Sequence, residues 1–341
     1  MNFKSLIKEQ PTTLSLLPTH QCSASCENCC FGCNPNIKHR MTFDEMKFHI
    51  DSSLRNFPSI RVLVVSGGEC FLIGDDLFQI IEYASSKGLV TRIVSNAFWA
   101  TSYEIAHSKL LKLKQCGLNE INYSTGDNHQ KYVSFQNIIN AITAAVDIGF
   151  SAVCVAVESH TNSKFNEQDL IENEDLSELI KSKKVIILPG SWMNFLKEKP
   201  NIDADNKGKP IYTRGIENRC EKLFQTITIN PYSQLLACCG LTVEYNPYLK
   251  LGNLRNYKLE DLYNLQFEDA LILWLYTFGP QYIYKKICKK NGTPPKRFPH
   301  PCAYCIEIIQ DKNNKQIIMD LIRAEFPKIL FRLEMINKNF Y

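Results

Sequence analysis

Residues 20–34 read His20-Gln21-Cys22-Ser23-Ala24-Ser25-Cys26-Glu27-Asn28-Cys29-Cys30-Phe31-Gly32-Cys33-Asn34. Five cysteines fall between Cys22 and Cys33, directly after a strand-like run, Thr13–Leu17. Working outward, strand signals recur at Arg61–Val65, Val90–Val94, Glu120–Ser124, Ala152–Val157 and Lys184–Leu188, with helical stretches between them. Thr42 and Glu45 form a capping box, in which each satisfies the other's free backbone donor. Phe43, Met46, Ile50 and Leu54 then make one apolar stripe, and Leu77, Ile80, Ile81 and Ala84 another. Gly88, Gly117 and Gly149 are helix stops, the latter two closing Tyr103–Gln115 and Asn137–Asp147. Six βα units in series imply a parallel sheet with helices outside. Six is fewer than a closed barrel needs, so the expected α/β architecture is a partial, open TIM-like (β/α)6 barrel.

Composition narrows the function classes. The chain of 341 residues is 45% hydrophobic and 22% charged, which is ordinary for a globular protein. A net charge of +4 is too small an excess to argue for nucleic acid or membrane partners. Met1–Leu17 carries Lys4, Lys8 and Glu9 and lacks the apolar stretch of about 7–15 residues that a signal peptide needs. No apolar run reaches the roughly 18 residues of a transmembrane helix. The unusual count is 14 cysteines. In a chain this long they do not read as a small disulfide scaffold, so a cytoplasmic metal or redox protein is expected.

The cysteines form two groups, five at 22–33 and six at 220–305; Cys70, Cys116 and Cys154 stand between them and read as small buried hydrophobes. In the first group Cys22, Cys26 and Cys29 give CxxxCxxC. Three thiolates on one loop can hold three corners of a 4Fe–4S cluster and leave one iron open for chemistry. Zinc is the competing reading, but structural zinc favours paired CxxC or His ligands. Cys26, Cys30 and Cys33 satisfy the same spacing; the first register is preferred because Cys22 lies nearer the strand end.

Cys22, Cys26 and Cys29, with Ser66-Gly67-Gly68-Glu69 at the end of the second strand, resemble the signature of radical S-adenosylmethionine (SAM) enzymes. The resemblance spans roughly residues 10–210 and implies the same (β/α)6 partial barrel. The family has an aromatic residue just before the third cysteine, where this chain has Asn28; Phe31 is a possible substitute. The resemblance implies that the open iron chelates S-adenosyl-L-methionine. Reductive C–S cleavage then gives methionine and a 5′-deoxyadenosyl radical, which abstracts a substrate hydrogen. Gly67 and Gly68 let the backbone approach the SAM amino group, with Glu69 beside them. Ser95, Asn96, Ser124, Asp127 and Glu158, at the following strand ends, are the other expected cofactor contacts. The run from Ser124 to Gln130 resembles a motif of peptide-modifying branches, with Asn128 where a phenylalanine commonly precedes the His, here His129.

Lys197–Lys209 is polar and reads as a linker. Beyond Arg219 the βα rhythm stops. Phe224–Ile229 and Leu235–Cys238 look like a hairpin around Asn230-Pro231-Tyr232-Ser233. A helical segment at Leu259–Leu275, a Lys- and Pro-rich loop and a final helix at Lys315–Leu333 follow. Cys220, Cys238, Cys302 and Cys305, two from the hairpin region and two from one loop, supply four thiolates for one auxiliary 4Fe–4S cluster. This resembles the twitch domain, the shorter relative of the SPASM domain. Leu251-Gly252-Asn253-Leu254 matches its Gly-Asn element, and Ser233 stands where its hairpin usually has glycine. The expected domains are therefore a barrel at 1–210, a small cysteine-rich twitch-type domain with a hairpin and helices at 211–310, and a C-terminal helix at 311–341 packing on the barrel. Cys239 and Cys288 are left over. Each is a candidate catalytic hydrogen-atom donor or a buried thiol.

Two substrate classes follow. One is a ribosomally made peptide, crosslinked or epimerised, with the basic and aromatic stretch Tyr282–His300 to hold it. The other is a small sugar-like or nucleoside metabolite, oxidised or epimerised. Only about a dozen residues precede the first strand, so no fused peptide-recognition domain is expected there. A reducing electron donor such as flavodoxin or ferredoxin is the remaining implied partner. A plain iron–sulfur electron carrier would have no use for the Gly-Gly-Glu element.

Overall fold

The computed structural model describes residues 2–27, 29–160, 162–191, 219–311 and 314–338. They fall into two compact units, Thr12–Trp192 with Ile229–Tyr232, and Met1–Pro11, Met193–Thr228 and Ser233–Tyr341. Asn28 and the expected linker at 197–209 lie outside the described residues.

The first unit alternates strand and helix: β1 Thr13–Leu16, α1 Phe43–Asn56, β2 Val62–Val65, α2 Asp75–Ser86, β3 Val90–Ser95, α3 Tyr103–Gln115, β4 Glu120–Thr125, α4 Asp127–Gln130, α5 Phe135–Ile148, β5 Ala152–Ser159, α6 Glu167–Ile171, α7 Ser177–Lys181 and β6 Val185–Ser191. Each strand from β1 to β6 pairs in parallel with the next. The expected βα order is the observed one. The Thr42 capping box is present with both of its hydrogen bonds, worth about 1 kcal/mol to the start of α1.

Burial alternates along the strands because successive side chains take opposite faces. Ile93, Ile121, Tyr123, Val155 and Val157 are buried, and Tyr123 Oη donates to Ala141 O of α5 at 3.1 Å. That face therefore looks toward the helices. The opposite face carries Arg92, Asn122, Ser124 and Glu158, all only partly buried, and ends in Ile186 and Leu188, exposed by 47% and 39%. Polar groups there, and apolar ones left uncovered, mark the inner face of an open barrel.

The second unit contains β7 Thr226–Ile229, β8 Gln234–Leu236, β9 Lys250–Asn253, α8 Leu259–Asn264, α9 Ala270–Asn291, α10 Pro301–Gln310 and α11 Asn314–Asn337. β8 and β9 are antiparallel. Three expectations are corrected here. The helical segment at 259–275 is two helices, and the second runs on to Asn291 through a break at Gly279 (φ 76°) and Pro280. Pro280 has no N–H to continue the ladder. The chain therefore kinks at Gly279, and the helical segments on either side of it are held by packing, residues 271–277 being buried all round. Cys288 is consequently on a helix and not in a loop. Cys302 and Cys305 also lie on a helix: they occupy the first turns of α10, capped by His300. α10 and α11 both pack on α9. Among the described residues no helix is long and apolar enough to cross a membrane.

Candidate active site and auxiliary cysteine site

Cys22 begins the loop that leaves β1. Its sulfur accepts hydrogen bonds from Ala24 N–H (3.4 Å) and from Asn96 Nδ2 (3.5 Å). The Asn96 amide also donates to Ser23 Oγ (3.1 Å). Cys26 Sγ lies 3.5 Å from Asn128 O. Cys26, Cys29 and Phe31 pack against a buried group made of Cys22, Ala24 and Cys33. Burial is the main influence on Cys22 and Cys26, and pushes their thiols up to about 11 and about 12. Cys29 moves the other way, because Cys30 and Cys33 both hydrogen-bond its sulfur and hold it well below the usual thiol range.

The Gly-Gly-Glu element is the floor of this loop. Gly68 N–H donates to Thr19 O (2.8 Å) and Glu69 N–H to Gln21 O (2.9 Å). A Cβ on Gly68 would fall 2.0 Å from Gln21 O. One on Gly67, where φ is +112°, would fall 2.5 Å from Thr19 O. The glycines are thus required by the approach of the cysteine loop's own backbone, a reason the sequence reading did not contain.

Glu69 is fully buried. Its carboxylate accepts from Phe71 N–H (3.2 Å), Ser95 Oγ (2.9 Å) and Asn96 N–H (2.9 Å). Burial nevertheless dominates and raises it to about 7. Ser95 also accepts from Ala97 N–H (3.0 Å) and Trp99 Nε1 (2.9 Å), so its hydrogen-bonding capacity is taken up inside the protein. Glu69 and Ser95 therefore form a post that holds Asn96 against Cys22. Ala97 adopts φ 61°, unusual for a residue with a Cβ. This strain at the end of β3 fits a functional turn.

The other expected contacts divide. Ser124 and Glu158 sit on the inner face, and burial raises the Glu158 carboxyl to about 7, with the charge of Cys29 acting in the same direction. Asp127 is turned elsewhere: its two oxygens accept from Lys164 N–H (2.8 Å) and Phe165 N–H (2.9 Å), fastening the loop after β5. His129 is half-buried, and removal of its ring from water lowers it to about 4. Phe31 stacks on His20, with centroids 6.2 Å apart and planes 10° apart. Sequence reasoning missed Trp99, which stacks on Phe71 at 4.1 Å, and Tyr132, whose hydroxyl donates to Ser25 O at 2.7 Å. Both act through distant chain positions and carry no local motif.

Among the described residues no three His, Cys, Asp or Glu side chains are grouped as a single-ion site. A cubane cluster does not need such a group, since each thiolate binds a different iron. The donor set fits one: three cysteines of one short loop, with an amide and a backbone N–H aimed at the first sulfur.

In the second unit, Cys238 and Cys302 flank Gly240, whose added Cβ would lie 3.3 and 3.2 Å from their sulfurs. Burial raises the Cys238, Cys302 and Cys305 thiols, and neighbouring cysteines, Cys220 among them, act in the same direction. Cys220 N–H donates to Leu275 O (3.1 Å), Thr242 Oγ1 to Cys302 O (3.1 Å) and Asn246 Nδ2 to Cys305 Sγ (3.6 Å). His300 Nδ1 accepts Cys302 N–H (3.1 Å). Ser233 adopts φ 59°, so it takes the left-handed conformation for which the resembling domain uses glycine. Cys238 and Cys302 therefore stand together at Gly240, and Cys305 lies on the same helix as Cys302, so the donors are of the kind a cubane cluster takes. Cys239 is exposed beside them. Cys288 is instead buried in α9.

Among solved structures, native anSMEcpe with bound AdoMet covers 95% of this chain and 99% of its own, with a TM-score of 0.53 and 11% identity. The chain has the fold of anSMEcpe. The structure of anSMEcpe with AdoMet and the Cp18Cys peptide covers 97% and 100%, at a TM-score of 0.51 and 11% identity. In sequence, the chain is 25% identical over 130 residues to YydG of Bacillus subtilis (strain 168), a protein whose name assigns it to peptide biosynthesis. That match spans 38% of the chain and 40% of YydG. No known family profile matches the chain.

Proposed function

We propose that this chain is a radical SAM enzyme that modifies a peptide. The carrying observation is the hydrogen-bonded path from Glu69 through Asn96 to Cys22, at the end of a parallel barrel's first three strands. Cys22, Cys26 and Cys29 would hold the first 4Fe–4S cluster. With SAM bound, that cluster supplies one-electron reductive cleavage to methionine and a hydrogen-abstracting 5′-deoxyadenosyl radical. Asn96 orients Cys22, Gly67 and Gly68 keep the loop against β2, and Ser124 and Glu158 offer polar groups on the inner face. Cys220, Cys238, Cys302 and Cys305 would hold one auxiliary cluster, and a flavodoxin or ferredoxin would supply electrons.

The peptide reading is supported by the similarity to YydG and by the peptide in the anSMEcpe structure. Anaerobically reconstituted protein given reductant and SAM is expected to release 5′-deoxyadenosine, read by liquid chromatography and mass spectrometry. None at all sinks the enzyme reading. Iron should total about eight per chain for two cubanes, and about four removes the auxiliary one. Co-expression with a short peptide encoded beside the gene should shift the peptide's mass by loss of two hydrogens, or introduce deuterium at unchanged formula; an unmodified peptide argues for the small-metabolite class.

A further inference from the structure

The first loop holds two thiols that the ligand assignment does not use, and the backbone fixes where one of them sits. Gln21 and Asn34 form a parallel bridge, in which Cys22 N–H donates to Asn34 O (3.2 Å) and Asn34 N–H to His20 O (3.3 Å). The loop therefore closes on itself with Cys22 at one end and Cys33 at the other. Cys33 is only 4% exposed and shares a buried group with Cys22. Cys29 packs against that same buried group. A thiol that was merely filling space would not need to stand beside two expected iron ligands at once.

We propose that Cys33 is a reserve ligand of the first cluster site, taking the iron of Cys29 when Cys29 cannot bind it. The exchange is balanced: the bond from iron to the Cys29 sulfur breaks and one to the Cys33 sulfur forms, and the Cys33 thiol proton passes to the released Cys29 thiolate, or to solvent where position 29 carries no sulfur. Because the two sulfurs are already neighbours, the exchange asks for side-chain movement inside a loop whose ends stay tied. Cys30 is not part of that buried group. This inference rests on the radical SAM reading of the same loop.

The test is iron and sulfide content, with the EPR spectrum of the reduced cluster, on full-length reconstituted protein. The triple variant Cys22→Ala/Cys26→Ala/Cys29→Ala defines zero for the first site. Cys29→Ala is expected to keep about half or more of the wild-type excess over that zero, Cys29→Ala/Cys30→Ala the same, and Cys29→Ala/Cys33→Ala less than about a tenth. Cys33→Ala alone should keep all of it. Circular dichroism on each variant confirms that the chain is folded. If Cys29→Ala already equals the triple variant, or if Cys29→Ala/Cys33→Ala matches Cys29→Ala, the reserve role is overturned. If Cys33→Ala alone empties the site, Cys33 is an ordinary ligand and the assignment itself is wrong. Wild type no higher than the triple variant would overturn the cluster-site reading along with this one.

Discussion

At the first cysteine site every sulfur comes from one loop between Cys22 and Cys33, whereas the second draws on Cys220, the turn after β8 and the start of α10, up to 85 positions apart in sequence. The first is buttressed from below by glycine backbone, a buried carboxylate and an asparagine amide. The second is held by a helix cap and by single bonds from Thr242 and Asn246. A short loop can present three thiolates and leave one coordination position open, so its geometry must be enforced by neighbours. A site ligated on all sides is held together largely by its own cluster.

The contrast can be broken at matched positions. Gly68→Ala should have the largest effect: the added carbon meets Gln21 O at 2.0 Å, and backbone must give way. First-site iron and 5′-deoxyadenosine release should both fall by more than about tenfold, measured with the auxiliary site as internal reference. Glu69→Ala comes next. It strands three buried donors and should cost about 3 kcal/mol in urea unfolding. Its charge gives a further check. The folded chain binds a proton at Glu69 that the unfolded chain releases between the ordinary 4.5 and about 7. Stability should therefore fall as pH rises through that window and be flat outside it. Glu158 acts in the same direction, so Glu69→Gln should remove only part of the slope.

Effects at the second site should be smaller. His300→Ala removes the acceptor for Cys302 N–H and should cost about 1 kcal/mol, lowering second-site iron while SAM cleavage at the first site is unchanged. Gly240→Ala is the mild counterpart of Gly68→Ala. Its Cβ meets two sulfurs beyond 3 Å and no backbone, so the change should cost under about 1 kcal/mol. Equal losses for the two glycine variants would refute the claim that the sites are built differently.

The barrel was legible because its signals are local. Strand and helix periods, the Thr42 cap and the glycine stops all act within a turn or two, and the six strands appear in the expected order. CxxxCxxC was legible for the same reason. The extent of α9 was not, because the chain does break at Gly279-Pro280 and only then resumes a helix as far as Asn291. Nor could spacing separate Ser95 from Ser124. Neighbouring strands carry them on opposite faces, one sealed against helices and one open.

By itself, then, the sequence determined the element order, the two cysteine groups and the chemistry three loop thiolates can support. Only the tertiary structure decided why Gly67 and Gly68 must be glycines, that Glu69 is a buried post, that Asp127 fastens a loop, and that Cys33 lies beside Cys22 and Cys29. Those facts depend on contacts between segments distant in the chain, and no local pattern encodes such contacts.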